Sequence, residues 1–286
     1  MRSLLFTPLR TLLFALFSLF ACAQNSTTKY DSPRNYDLTK PKIEPLWDVL
    51  HEISGIDFLG NTLLAVEDEN GAIYKFAPFS KKITETHFGD NGDYEGLALA
   101  RDYVVVLRSD GALFTIPQNE LSKKKTTLTK EWKGLLPKGE YESLAYSEKD
   151  SLLYVICKSC NVDKKTDKTS GYRLSLSSEG KIKKLDEFKI EHSKIETFLS
   201  LKGKKFRPSA LHQNPRTSEW YLLSSVNQML VVLDEKMNPK AAYALDPKLY
   251  NQPEGITFDK EGALFISNEG GSKTSKPTLL KFDLIP

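Results

Sequence analysis

Residues 252–269 read Gln252-Pro253-Glu254-Gly255-Ile256-Thr257-Phe258-Asp259-Lys260-Glu261-Gly262-Ala263-Leu264-Phe265-Ile266-Ser267-Asn268-Glu269. An acid beside a small and an apolar residue opens the stretch. A polar turn ending in glycine follows, and an apolar run with aromatic and β-branched members closes it. Two short strands joined by a hairpin turn produce that pattern. The plan recurs upstream at Ser54-Gly55-Ile56, Glu95-Gly96-Leu97, Glu142-Ser143-Leu144 and Ser209-Ala210-Leu211. The apolar runs after these starts include LLAVEDENGAIYKF, YVVVLRSDGALFTI, LLYVICKSC and WYLLSSVNQMLVVLD.

Successive copies begin 41, 47, 67 and 45 residues apart. A four-stranded propeller blade takes about 40–50 residues, so the spacing predicts an all-β propeller. Five copies predict five blades, and a sixth remains open if Ile182–Phe206 hides a degenerate copy. The apolar stretch Lys42–Leu50 is expected to supply a strand that closes the ring beside the last blade, since an open ring would leave bare sheet edges. The long gap carries a Lys/Ser/Thr-rich insertion at Asp163–Ser170, read as a loop on one face. Helix signal is weak throughout, and Glu187–Leu201 reads equally as a helix or as a strand plus loop.

The chain has 286 residues, 40% hydrophobic and 27% charged, a globular composition. Forty Lys and Arg against 37 Asp and Glu leave a net charge of +3, and the lysines are scattered. A nucleic-acid partner, which needs a clustered basic face, is therefore not expected. Ahead of the repeats, Thr11–Ala21 is apolar but too short for the ~20 residues of a membrane-spanning helix. With Arg2 and Arg10 before it, the segment reads as a signal peptide over residues 1–21. Its end, Leu19-Phe20-Ala21-Cys22, resembles the bacterial lipobox, which implies lipidation of Cys22. Acyl chains at about 0.8 kcal/mol per buried CH₂ would then anchor the protein to a membrane. Residues 22–37 read as a flexible tether and 38–286 as the propeller. The expected location is the cell envelope, most simply the periplasmic face of the outer membrane.

EISGI, YEGLAL, YESLAY, RPSAL and QPEGITFDKEGALFISNE together resemble the SdiA-regulated domain family of exported β-propellers, over about Leu38–Phe282. The closing motif is shared more widely with NHL and gluconolactonase-type propellers, so it identifies a blade and not a reaction. The resemblance implies export, a propeller, and a bound divalent cation such as calcium as the cofactor to look for.

Copies of one position in a propeller converge at one mouth of the central channel. Glu95, Glu142 and Glu254 are therefore expected near the axis. Glu52 is a displaced substitute for Ser54, two residues on along the strand. Asp68 and Asn268 stand after the second strands of their blades and complete a candidate metal set. Arg108 and Lys158, at similar places, are the alternative neutralising groups, and a purely structural role for the acids is the third reading. Two functions stay open: a binding module with an unknown ligand or protein partner, and a metal-dependent hydrolase of lactonase or esterase type. Whether the protein is an enzyme is left undecided. Cys157 and Cys160 read equally as a local disulfide or as free thiols. His51 and His212 read as turn or edge residues.

Overall fold

A computed structural model describes residues 30–271 and 275–285. The predicted signal peptide and the lipidation site Cys22 lie outside the described residues. No helix among the described residues is long and apolar enough to cross a membrane.

The repeats fold as five four-stranded antiparallel sheets arranged in a ring. The N-terminal strand is β1 (Lys42–Pro45). Blade one holds β2 (Ile53–Leu59), β3 (Thr62–Glu67), β4 (Ala72–Phe76) and β5 (Ile83–His87). Blade two holds β6 (Tyr94–Ala100), β7 (Tyr103–Arg108), β8 (Leu113–Pro117) and β9 (Lys130–Trp132). Blade three holds β10 (Gly139–Ser147), β11 (Leu152–Cys160), β12 (Lys168–Leu176) and β13 (Ile182–Glu191). Blade four holds β14 (Ala210–Gln213), β15 (Trp220–Ser224), β16 (Met229–Leu233) and β17 (Pro239–Ala244). Blade five holds β18 (Pro253–Phe258), β19 (Leu264–Asn268) and β20 (Thr278–Phe282), and β1 pairs with β20 as its outer strand. The ring is thus closed as the Lys42–Leu50 stretch implied, although Asp48–Leu50 forms a 3₁₀ turn.

The sixth-blade reading falls, because Ile182–Glu191 is the outer strand of blade three. The long gap instead reflects strands of nine and ten residues in that blade. A short helix, α1 (His192–Glu196), and a loop follow. Of the stretch Asp163–Ser170, the last three residues enter β12 and the others form the turn that precedes it. The tether also ends sooner than residue 37. Tyr36 is 2% exposed and its hydroxyl donates to the Gly262 carbonyl at 2.8 Å, while Asn35 bonds the Ile285 backbone.

The core is distributed over the seams between blades. Five apolar clusters each join consecutive blades: Leu107 with Tyr141, Tyr154 with Trp220, Tyr221 with Phe258, Phe265 with Phe58, and Val66 with Val104 are representative members. Aromatic edges meet across them, with ring centroids 4.4 Å apart for Tyr154 and Trp220 and 4.9 Å for Phe58 and Phe265. Near the axis the seams tighten. A Cβ placed on Gly55 would stand 2.5 Å from the Leu97 amide nitrogen, so only a glycine fits between these inner strands.

Candidate functional site

The residue that opens the repeat, an acid in three blades, is placed by a β-bulge in blades one, two, three and five. In blade one the ladder runs Ile53↔Glu67 and then Gly55↔Val66, which leaves Ser54 as the extra residue. The same skip leaves out Glu95 in blade two, Glu142 in blade three and Glu254 in blade five. A bulge bends the strand and re-aims the side chain it carries, and here it turns the acids toward one mouth of the channel. Ser54, Glu95, Glu142 and Glu254 line one cavity on the axis. That cavity has about 10 Å³, room for roughly one water. The channel is therefore filled, and chemistry is confined to its mouth.

Around the mouth the carboxyls act on one another. Burial first, and then the charge of Glu142, pushes Glu95 up to about 9. Burial and Glu254 push Glu142 up to about 8. Burial and Glu269 raise Glu254 to about 7, and burial and Asp68 raise Glu269 to about 7. Burial and Glu52 raise Asp68 to about 7. Lys158 is the cation set among them: its ammonium donates to Glu142 Oε1 and stands 3.9 Å from Glu140. Burial alone would pull this ammonium down, but Glu142, Glu254 and Glu140 outweigh it and hold its pKa above the ordinary value. The compensation is incomplete. Glu142 is only 4% exposed, and its Oε2 has no partner among the described residues; neither has Asp68 Oδ1.

Of the six candidate ligands, the structure brings Glu52, Asp68, Glu95, Glu142 and Glu254 into this electrostatic group. Asn268 is not in it. Its amide nitrogen donates to the Leu249 carbonyl and to Thr278 Oγ1, both at 3.1 Å, on a different side of β19. The mouth position in blade five belongs to Glu269, whose amide bonds the Gln252 carbonyl as that of Asp68 bonds Glu52 and that of Ser109 bonds Asp93. Arg108 is likewise one residue early. Its guanidinium pairs with Asp110 at 2.8 Å and Glu131 at 3.2 Å, away from the ring. Lys158 alone of the two supplies the positive charge. Glu269 could have been found by counting the bulge as an extra residue when the blades were aligned.

Cys157 and Cys160 form a disulfide, and both are buried. With Asp163 they make the one group of three such side chains whose ligand atoms lie within 4.8 Å of one another among the described residues, but the bonded sulfurs are not thiolate ligands. No three mouth carboxyls come that close. The mouth therefore fits a hard cation in its donor chemistry, all oxygen, but as a loose ring that would have to draw in around it.

At the second layer of the channel, three positions further along each inner strand, stand Asp57, Ala98, Ala145, His212 and Thr257. Asp57 crosses the axis. It accepts from the Leu99 amide at 2.7 Å and from Thr257 Oγ1 at 3.1 Å, and it stands 3.2 Å from His212 Nε2. The other imidazole nitrogen faces the Gln213 carbonyl at 3.0 Å. Both ring nitrogens meet acceptors, which suits the imidazolium, and Asp57 holds the His212 pKa above its usual value against the opposing effect of burial. His212 is thus part of the channel and not a turn residue, while His51 does cap the Asp48–Leu50 turn. Blades one, two, four and five are tied together through this carboxylate.

Five closed blades, a plugged axis and an acidic mouth define the class: a five-bladed β-propeller with a ring of carboxyls at one end. The profile of the SdiA-regulated family matches residues 33–271, and the chain belongs to that family. Among curated proteins none matches the sequence. Among solved structures, a luciferin-regenerating enzyme superposes with a TM-score of 0.55 at 10% identity, covering 85% of this chain and 95% of its own. A glutaminyl cyclase from Myxococcus xanthus gives 0.55 at 14% identity, with 85% and 94% covered. At such identities the likeness is one of fold.

Proposed function

We propose that the protein is a binding module of the cell envelope, held to a membrane by lipid on Cys22, whose mouth takes a cation, calcium being the candidate. The observation that carries the reading is the buried, half-satisfied Glu142: one oxygen on Lys158, the other without a partner, in a ring of acids that burial and mutual repulsion have pushed toward neutrality. A buried polar atom without a partner costs about 1–3 kcal/mol, and a cation would relieve both the orphan and the repulsion. Glu52, Asp68, Glu95, Glu142, Glu254 and Glu269 are the groups that would hold it. Because the ring is open, the affinity belongs to the weak extracellular class, about 10⁻⁴–10⁻³ M.

The hydrolase alternative has less behind it. Burial holds Glu95 and Glu142 largely protonated near neutral pH, and the filled channel beneath offers no enclosed substrate space. The enzymes among the structural neighbours share only the fold.

The test is thermal melting of the purified protein after chelation, with and without 5–10 half-saturations of calcium at about 1 mM each. Ligand that binds only the folded form stabilises by RT ln(1 + [L]/Kd), about 1–1.4 kcal/mol here. Wild type should shift upward and Glu142→Gln should not; equal curves for wild type in calcium and in chelator would end the cation reading. Envelope anchoring is tested separately by detergent partitioning, in which Cys22→Ser should move to the aqueous phase.

A further inference from the structure

Blade four breaks the acidic pattern twice at the mouth. Ser209 stands where blades two, three and five carry Glu95, Glu142 and Glu254. Two residues earlier, Arg207 stands where the other blades carry Glu52, Asp93, Glu140 and Gln252. On this side of the ring a second cavity of about 220 Å³ opens between blades three and four. Its lining includes Lys158, Lys164, Lys168, Lys205, Arg207 and His192.

The charge of this pocket is cancelled from within only in part, by one carboxylate against five cations. Its one carboxylate, Asp163, is occupied by the amide and hydroxyl of Ser170 at 2.8 and 2.6 Å. Lys205 is fixed by three backbone carbonyls, those of Asp163, Lys164 and Thr166, which orient its ammonium without neutralising it. Lys168 reaches Glu191 at 3.4 Å in an exposed pair worth little. The Arg207 guanidinium has no partner among the described residues. Its backbone, by contrast, is held at both ends, the amide donating to Asn227 Oδ1 at 3.0 Å and the carbonyl accepting from Ser224 Oγ at 2.6 Å. Burial lowers the His192 pKa, so that ring adds a neutral wall.

We infer that this pocket is the anion-binding half of a two-part site, and that the ligand is a small zwitterion: its cationic group sits in the glutamate ring and its carboxylate lies on Arg207. Lys158 joins the halves, since it lines the basic pocket while its ammonium rests on Glu142. A guanidinium fork matches a carboxylate bidentately, which a lysine cannot do. A volume of about 220 Å³ holds roughly seven waters at ~30 Å³ each, enough for a carboxylate on a short stem and too little for a drug-sized molecule. The inference rests on the acidic mouth being a cation site, and the experiment separates the two.

Titration calorimetry with the purified protein would use glycine, 4-aminobutyrate and 6-aminohexanoate as zwitterions of increasing span, acetate as the anion alone, and calcium as the cation alone. At least one zwitterion should bind about tenfold or more tightly than acetate, the worth of one charged hydrogen-bonded contact. Arg207→Gln should cost the best zwitterion about tenfold or more while leaving the calcium affinity unchanged. Arg207→Lys, which keeps the charge and loses the fork, should fall between. Zwitterions no tighter than acetate, or an Arg207→Gln protein that binds them as wild type does, would overturn the two-part site. A surviving calcium response would then leave the cation reading standing, and its loss in wild type would remove that reading instead.

Discussion

Replacing Lys158 with methionine should destabilise the protein by an amount that grows with pH. The substitution keeps the length of the stem and removes the ammonium from Glu142, which is 4% exposed and has no other partner on either oxygen. If the carboxyl stays ionised, removing one member of a buried pair costs about 3–5 kcal/mol. The carboxyl can escape by taking a proton, and burial with the neighbouring Glu254 already places its titration at about 8. At pH 6 Glu142 is protonated in either protein, and the loss shrinks to one ordinary hydrogen bond, about 1 kcal/mol. At pH 9 the full cost is exposed.

The background has the same sign in wild type. An acid whose folded pKa lies above its unfolded value of about 4.3 binds more protons in the folded state, so stability falls as pH rises from there toward 8 or 9. Urea unfolding in chelator at pH 6 and pH 9 reads both effects. In the Lys158→Met/Glu142→Gln double variant the pH dependence of the loss should vanish, because the charge that needed compensating is gone. An equal loss at the two pH values would refute the claim that Lys158 serves as the counter-ion of a nearly neutralised acid.

Asp57→Ala should cost about 3–5 kcal/mol, roughly 6–20 °C in melting temperature, because it strands the Leu99 amide, Thr257 and a charged His212 at once. His212→Gln should be most destabilising below about pH 6.5 and lose its penalty as pH climbs through the raised folded pKa, since that stabilisation exists only while the imidazole is charged; urea midpoints from pH 5 to 9 would show it. Gly55→Ala should lose about 1–3 kcal/mol in denaturant, as its new methyl meets the Leu97 and Gly96 backbone, which cannot swing aside.

The ring was legible because each blade needs the same local device. In blades one, two, three and five a bulged residue followed by a small one lets the inner strands crowd the axis, and blade four keeps the small residue, so the pairs Glu95-Gly96, Glu142-Ser143, Ser209-Ala210 and Glu254-Gly255 recur whatever the function. The same bulge hid part of the site. Strand side chains alternate, so an alignment that misses one extra residue selects the neighbour on the opposite face. That is why Arg108 and Asn268 stood in for Ser109 and Glu269, while Asp68 and Lys158 do fall at the mouth position. Asp57 was passed over and His212 read as a turn or edge residue for a different reason: they lie 155 positions apart, and only closure of the ring makes them neighbours.

These misreadings bear on where function lies. Crowding of the inner strands requires a small residue, and Ala210 meets that need in blade four. Closure does not require Arg207 nearby, nor Lys158 opposite Glu142 in blade three. Both depart from the repeat toward positive charge, and both line the basic cavity between blades three and four. A blade built only to complete the circle would have no use for either. On the two-part reading, the departures from the repeat, more than the repeat itself, mark the side of the mouth that would hold a ligand.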